Sequence, residues 1–142
     1  MSGFLLVTSG ARHFGLPADR VRAIIGIDAL LAAPVVRPAV RGVLPLPDGL
    51  VSLVHLAAAL DDDVPPAEMG AVAVLVEGAG GRVALEVEET AAFVRQAPEP
   101  VPLAWQVPWA GGVGRHEGRL VPIVDLDVLV ERLRAAGAGA AT

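Results

Sequence analysis

The 142-residue chain contains no cysteine, lysine, tyrosine or asparagine. Without cysteine, neither a disulfide nor a thiolate metal site can stabilise the fold, and a cytosolic location is the default expectation. A catalytic thiol, a lysine-dependent phosphate loop and a Schiff-base mechanism are excluded by the same absences. Sixteen acidic residues outnumber the eleven basic ones, all of which are arginine. The resulting net charge of −5 repels phosphates, so we expect no nucleic-acid partner.

Long uninterrupted apolar runs are also missing, although 54% of the residues are hydrophobic. Acidic residues and prolines interrupt each apolar stretch before it reaches the roughly 18 residues that a transmembrane helix requires. The first residues lack a basic segment followed by an apolar run and a small-residue cleavage site, so no secretory signal is predicted. We therefore expect a globular domain with a sizeable core and no membrane insertion.

Histidine is scarce, and its three positions do not form a recognisable site. His13, His55 and His116 lie far apart, and none belongs to a pattern that places two imidazoles on one helical face. The glycine-rich segments 78–82 and 111–118 are followed by strand rather than by the helix that phosphate binding requires. We predict no catalytic, metal-binding or cofactor-binding residues. An enzyme or small-ligand domain that uses His13, His55 or His116 in a groove between the two halves is the alternative.

Two segments of the chain share one pattern. Residues 40–56 read VRGVLPLPDGLVSLVHL and residues 110–126 read AGGVGRHEGRLVPIVDL. At an offset of 70, their turns and several glycines, valines and leucines coincide. The segments that precede them match at an offset of 69, which aligns Ile24 with Phe93. A repeat of this length indicates one supersecondary unit used twice.

Each unit reads as a hairpin, a short crossing segment, two further strands around a turn, and a helical end. The predicted boundaries are a first half at 4–60, a polar connector at 61–70, a second half at 71–136 and a frayed tail at 137–142. Asp127 is the expected N-cap of the final helix and Gly137 its stop. Five short strands per half predict an all-β fold with short helices, built as two small barrels that are related by the duplication.

The order and spacing of four segments resemble the CheW-like chemotaxis coupling proteins. The segments are FLLVTSGARHFGLPADRVRAIIGI, VRGVLPLPDGLVSLVHL, RVALEVEET and GGVGRHEGRLVPIVDLDVL, and the resemblance extends over residues 4–133. It implies two five-stranded SH3-like β-barrels with a shared core and no enzymatic activity. It also implies a cytoplasmic adaptor, recruited to membrane-bound receptor arrays, that links chemoreceptor signalling tips to the regulatory domain of the histidine kinase CheA.

The resemblance further implies two partner surfaces. The kinase-facing surface comprises Val21, Arg22, Ala23 and Ile24. The receptor-facing surface comprises Arg41, Pro47, Asp48 and Thr90. By spacing alone, Val21, Ile24 and Ile25 form a core stripe, and a lone arginine such as Arg41 on a strand edge is a solvated guard against edge pairing; both are the alternatives to a partner surface.

Two tryptophans, Trp105 and Trp109, stand close together in PVPLAWQVPWAGG. Exposed tryptophan is typical of an interface hot spot. The alternative is that each ring fills the gap between packed sheets.

The contact positions depart from the family pattern. The family's Asn-Leu-Arg-Gly is Pro45-Leu46-Pro47-Asp48 here, so proline replaces an arginine and removes its charge. Ala23 replaces a common glutamate, and His55 replaces the aspartate that ends the first half in the family. We therefore expect weak receptor binding. The alternative is a CheW-like module recruited to a different signalling partner.

Overall fold

The computed structural model describes residues 3–33, 38–66 and 68–140, with side chains described as far as residue 135. These residues form ten strands, two α-helices and a 3-10 helix at Ala18–Arg20. The strands are β1 (Phe4–Ser9), β2 (Arg12–Pro17), β3 (Val21–Gly26), β4 (Val40–Leu46), β5 (Gly49–His55), β6 (Val72–Gly78), β7 (Gly81–Val87), β8 (Glu89–Val94), β9 (Ala110–His116) and β10 (Arg119–Val124). The helices are α1 (Leu56–Leu60) and α2 (Leu126–Ala140).

The strands form two five-stranded sheets. Sheet I has the order β8-β1-β2-β10-β9, and sheet II has the order β3-β6-β7-β5-β4. Neighbouring strands are antiparallel except for β2 with β10 and β5 with β7, which are parallel. The mostly β architecture, with two five-stranded sheets and a C-terminal helix, confirms the predicted fold class.

Each sheet takes strands from both halves of the chain. Sheet I combines the β1–β2 hairpin of the first half with β8, β9 and β10 of the second. Sheet II combines the β6–β7 hairpin of the second half with β3, β4 and β5 of the first. The predicted crossing segments are β3 and β8, and they begin the passage of the chain into the other sheet. Each half therefore supplies five strands, as predicted, but its hairpin completes the sheet of the other half.

The pairing register repeats between the halves. Leu53 pairs with Ala84 in sheet II, and Ile123 pairs with Gly15 in sheet I. These are equivalent positions at the offsets of 70 and 69 that the sequence predicted. An isolated bridge joins Leu31 to Val43 of β4, and an equivalent bridge joins Glu99 to Val113 of β9. The duplication read from the apolar pattern is therefore present in the backbone.

The largest apolar cluster takes side chains from both sheets. Leu5 and Val7 of β1 belong to it, while Phe4 and Leu6 belong to a smaller cluster within sheet I. Because successive side chains of a strand point to opposite faces, β1 is buried on both faces. This burial explains the continuous apolar run at the start of the chain.

Each sheet has a smaller apolar cluster of its own. At two equivalent positions of these clusters, a large side chain in one half corresponds to a small one in the other. In sheet I, the ring of Phe4 packs directly over Gly114, and a Cβ atom at Gly114 would overlap that ring. The equivalent residues, Ala73 and Leu44, lie in the cluster of sheet II. A large residue opposite glycine in one half is thus replaced by alanine opposite leucine in the other. The two halves thus place large and small side chains at exchanged positions of one repeat.

The final helix has a different N-cap from the predicted one. The Oδ1 atom of Asp125 accepts the backbone N–H groups of Asp127 at 3.1 Å and Val128 at 3.2 Å, as an N-cap does. Asp127, the predicted N-cap, lies in the first turn, and its carboxylate accepts the N–H of Ala79 at 2.7 Å. Asp127 therefore anchors the β6–β7 turn to the start of α2.

The same helix continues past Gly137, where the sequence predicted its end. Alanine is the strongest helix former, and the flanking alanines favour the helix although Gly137 and Gly139 each cost about 1 kcal/mol. The last part of the predicted frayed tail, residues 141 and 142, lies outside the described residues.

The exchange of side-chain size between the halves predicts a compensating pair of substitutions. Phe4→Ala alone should lower the free energy of unfolding by about 3–5 kcal/mol because it leaves a cavity. Gly114→Leu alone should lower it by about 1–3 kcal/mol or more because leucine overlaps the ring. The double variant reproduces the arrangement at Ala73 and Leu44, so we expect it to be more stable than the sum of the two losses. Urea unfolding followed by tryptophan fluorescence measures all three.

Gly111→Ala, on the same strand as Gly114, is the matched control. Its Cβ would lie 3.4 Å from the nearest side-chain atom, an ordinary contact, so the substitution should change stability little. Strict additivity of the two destabilising substitutions would show that the paired sizes are not complementary.

Candidate interaction surfaces

Strand β3 carries the four predicted kinase-facing residues and lies at one end of sheet II. Its side chains alternate strictly between half-buried and exposed. Val21, Ala23 and Ile25 pack against the apolar clusters, whereas Arg22 and Ile24 face outward. Ile24 is 46% exposed, so the core interpretation is wrong for Ile24 and correct for Ile25. Strand β3 thus presents an exposed aliphatic side chain on the same face as an arginine.

Strand β8 presents an equivalent apolar side chain that the site prediction missed. Phe93 is 59% exposed and lies on the end strand of sheet I, as Ile24 does on the end strand of sheet II. The offset of 69 had already aligned these two residues. The repeat was therefore the signal that would have identified Phe93.

Arg41 is not the solvated guard that its strand-edge position suggested. Its Nε and Nη2 atoms donate to the two carboxylate oxygens of Glu86, at 2.6 and 3.4 Å. The side chain of Glu86 is only 3% exposed, and its Oε2 also accepts the N–H of Gly70 at 2.6 Å. A buried carboxylate is stable only when paired and hydrogen-bonded, so Arg41 has a structural partner within the chain. The pair connects β4, β7 and the end of the connector.

His55 is buried beside this ion pair and forms the N-cap of α1. Its Nδ1 atom accepts the N–H of Ala58 at 3.1 Å, and the Oγ of Ser9 accepts the N–H of Ala57 at the same distance. Burial lowers the pKa of His55; the charge of Glu86 opposes this shift and the charge of Arg41 adds to it. Since Nδ1 can accept a hydrogen bond only when it carries no proton, the contact with Ala58 requires the neutral ring. Its role is equivalent to that of Asp125 in the second half.

Pro47 and Asp48 form the turn between β4 and β5, as their composition predicted. The side chain of Asp48 is 66% exposed, and its Oδ2 accepts a hydrogen bond from Nη1 of Arg82 at 2.8 Å. This hydrogen bond lowers the pKa of Asp48. The negative charge that the sequence placed at this turn is thus paired with a guanidinium from β7.

The predicted receptor-facing residues are not all on one sheet. Arg41, Pro47 and Asp48 belong to β4 and its turn in sheet II, whereas Thr90 is half-buried on β8 in sheet I. The sequence could not show that β8 joins sheet I, because β8 pairs there with β1, which is more than 80 residues away along the chain.

Trp109 is half-buried and packs against the core. It packs against the largest apolar cluster, and its ring centroid lies 5.5 Å from that of Phe14 with the planes tilted by 51°. Its carbonyl also accepts the N–H of Asp125 at 2.7 Å. Trp105 is half-buried in the segment before β9. The sheet-filling alternative is therefore correct for Trp109.

His13 and His116 line a common cavity of about 250 Å³ beside β2, β9 and β10, together with Leu6 and Val121. His55 is absent from this lining, because its ring caps α1. Within the described ranges, no group of three histidine, aspartate or glutamate side chains is arranged to hold a metal ion.

Comparison with known proteins agrees with the two-sheet fold. A family model described as the CheW-like domain matches residues 3–134, nearly the whole chain. The chain belongs to the CheW-like domain family. CheW-like domains are scaffold and adaptor modules of chemotaxis signal transduction, so the recognition made from four sequence segments is confirmed.

A solved CheW structure is similar over most of its length. The scaffolding protein TtCheW from Thermoanaerobacter tengcongensis matches with a TM-score of 0.77, over 90% of this chain and 86% of that chain. The two sequences are 14% identical, so this likeness concerns the fold alone. No curated protein matches the sequence. Among the described residues of this CheW-like chain, no helix is long and apolar enough to cross a membrane.

The buried position of His55 predicts a pH-dependent stability. Well above about pH 6.5, the ordinary pKa of histidine, the ring is neutral in both the folded and the unfolded chain. Below that pH the unfolded chain binds a proton that the folded chain binds less readily, so the free energy of unfolding should fall as pH falls. Asparagine is a strong N-cap without a titrating ring, so His55→Asn should flatten this part of the profile.

Urea unfolding at pH values between about 7.5 and 5 measures the effect, and His13→Asn is the matched control for loss of an exposed histidine. The difference between wild type and His55→Asn isolates His55 from the carboxylates, which titrate in both proteins. Parallel pH profiles for these two proteins would contradict the assignment.

Proposed function

We propose that this protein is a non-enzymatic adaptor that couples chemoreceptors to the regulatory domain of the histidine kinase CheA. It works in the cytoplasm and is recruited to membrane-bound receptor arrays. Membership of the CheW-like family supports this function, since proteins of that family are non-enzymatic scaffolds. The single observation that carries the kinase side is Ile24, an exposed aliphatic side chain on the end strand of sheet II.

The kinase-facing surface consists of Val21, Arg22, Ala23 and Ile24 on β3. Val21 and Ala23 pack inward and hold the strand in place, so Ile24 is presented from a rigid support. Arg22 is kept near the strand surface by Glu77 at 3.7 Å and by the carbonyl of Asp19 at 2.9 Å. A partner that covers Ile24 removes apolar area from water, which contributes about 25 cal/mol per Å². An apolar anchor flanked by a positioned charge is typical of a protein interface.

Ile24→Asp should weaken binding of the CheA regulatory domain by more than about 1 kcal/mol, as loss of an interface anchor does. Its thermal stability should change little, because the side chain already faces solvent. Isothermal titration with the purified kinase domain, together with a melting curve of each protein, measures both effects. Leu120→Asp is the matched control, since Leu120 is 50% exposed but lies on β10 of the other sheet.

A variant that stays folded and binds the kinase as tightly as wild type would remove Ile24 from the interface. If Ile24→Asp and Leu120→Asp weaken binding equally, the effect is one of charge and not of position, and the β3 surface is wrong.

The receptor side of the proposal assigns Arg41, Pro47, Asp48 and Thr90 to a second surface. Arg41 is bound to Glu86, which leaves the turn as the exposed part of this set on sheet II. Proline there offers no charge-assisted hydrogen bond, and the Asp48–Arg82 pair cancels most of the local charge. We therefore propose weak binding of a receptor signalling tip, with the greater part of the affinity on the kinase side.

The composition of this turn also favours a second candidate, a CheW-like module recruited to another signalling partner. Titration of a chemoreceptor cytoplasmic fragment into wild type, Pro47→Arg and Pro47→Arg/Asp48→Gly separates the two. Weak wild-type binding that both variants strengthen, by about 1–2 kcal/mol in the double variant, supports the coupling function. No receptor binding by any of the three proteins, with kinase binding intact, favours the second candidate. Equal and tight binding by all three would mean that this turn does not contact the receptor.

A further inference from the structure

A cavity of about 330 Å³ opens at one end of sheet I, beside the start of α2. This volume lies within the size range of sites that bind small ligands or single side chains. Its walls combine apolar and charged residues. The lining is Gly3, Pro17, Asp19, Arg20, Pro98, Gly111, Ile123, Val124, Asp125, Leu126 and Asp127. Three carboxylates and one guanidinium give the cavity a net negative charge.

The internal repeat shows what fills the equivalent space in sheet II. At the offsets of 70 and 69, Gly111 corresponds to Arg41, Pro17 to Glu86 and Asp125 to His55. In sheet II the Arg41 guanidinium occupies this end of the sheet and binds Glu86 with two hydrogen bonds. In sheet I the chain has no side chain at the arginine position, and a cavity remains there.

The backbone has the same irregularity at Arg41 and at Gly111. The register of β4 with β5 shifts between Val40 and Gly42, around Arg41, and the register of β9 with β10 shifts at the equivalent place, around Gly111. A β-bulge redirects the side chain that it carries. A Cβ atom at Gly111 would point at Asp125, 3.4 Å from its Cβ and 3.8 Å from its Oδ2.

A carboxylate lies just beyond the end of the neighbouring strand β10, at Asp125. Oδ1 of Asp125 caps α2 through two backbone N–H groups, while Oδ2 is the oxygen nearer to the empty position of Gly111. Arg20 donates to the carbonyl of Glu77 at 3.4 Å, so its charge is directed toward β6. Apolar walls at Pro17 and Ile123 suit the methylene stem of a long cationic side chain.

We propose that this cavity binds the side chain of an arginine from a partner protein, which takes the place that Arg41 fills in the other half. Arginine is the residue that the equivalent site holds, and its planar fork can reach two acceptors at once. The proposal does not depend on the identity of the kinase or receptor partner. It assigns a pocket to a region that neither predicted partner surface includes.

The test uses the full chain, labelled with ¹⁵N, and N-acetyl-arginine methylamide as the probe. The neutral isostere N-acetyl-citrulline methylamide is its control. We expect saturable shifts of amide resonances at Gly111, Asp125 and Leu126 with the arginine probe, and at least about tenfold weaker binding of the citrulline probe.

Three variants locate the site. Gly111→Arg supplies the missing side chain from within the chain and should abolish binding of the probe, whereas Gly111→Ala should retain it. Asp125→Asn keeps the helix cap but removes the charge, so it should weaken binding at least about fivefold. Asp63→Asn, on the exposed connector, should have no effect.

Equal binding of the arginine and citrulline probes, or no saturable shift at the cavity, would overturn the proposal. So would unchanged binding by Gly111→Arg. If Gly111→Arg does not fold, Asp125→Asn decides: wild-type affinity in that variant means that the cavity does not recognise a cation.

Discussion

The exchange of hairpins between the two halves is the constraint on which the rest of the structure depends. In sheet I, the strands β1 and β2 lie between β8 and the β9–β10 pair. In sheet II, the strands β6 and β7 lie between β3 and the β4–β5 pair. Without the hairpin supplied by the other half, each sheet loses two of its strands, and the end strand β8 or β3 loses the strand that it pairs with. The largest apolar cluster also contains residues of both hairpins, so its burial requires both halves together.

This constraint fixes the backbone of both halves and leaves the side chains free to diverge. The same bulge carries Arg41 in one half and Gly111 in the other, and the same cap position carries His55 and Asp125. The consequences differ at each place. One bulge seals its end of a sheet with a buried ion pair, and the other leaves a negatively charged cavity. The two halves thus share a backbone but differ in what their equivalent positions can bind.

The sequence predicted what depends on local pattern. The strands, the turns at Pro47–Asp48 and the offsets of 69 and 70 follow from apolar alternation and from glycine and proline positions, all of which act over a few residues. The hairpin exchange was not predicted because pairing between distant strands leaves no local signal. The N-cap was misplaced by two residues because both Asp125 and Asp127 have the required side chain, and only the backbone distinguishes them.

In the candidate surfaces too, local pattern was predictable from the sequence and long-range contacts were not. Alternation along β3 determined which residues face solvent once the strand was at the end of its sheet, and this separated Ile24 from Ile25. Arg41 was misjudged because its partner, Glu86, is 45 residues away along the chain. Burial of a charge depends on such long-range partners, and composition near Arg41 contained no indication of one.

The most direct test of this account is to produce the two halves as separate chains, divided within the connector between residues 66 and 67. Amide dispersion in ¹⁵N spectra and far-ultraviolet circular dichroism would be recorded for each half alone and for an equimolar mixture. Because each sheet requires the hairpin of the other half, we predict that neither half folds alone and that the mixture gives the dispersed spectrum of the intact protein. A first half that folds cooperatively by itself into a stable five-stranded unit would contradict the account.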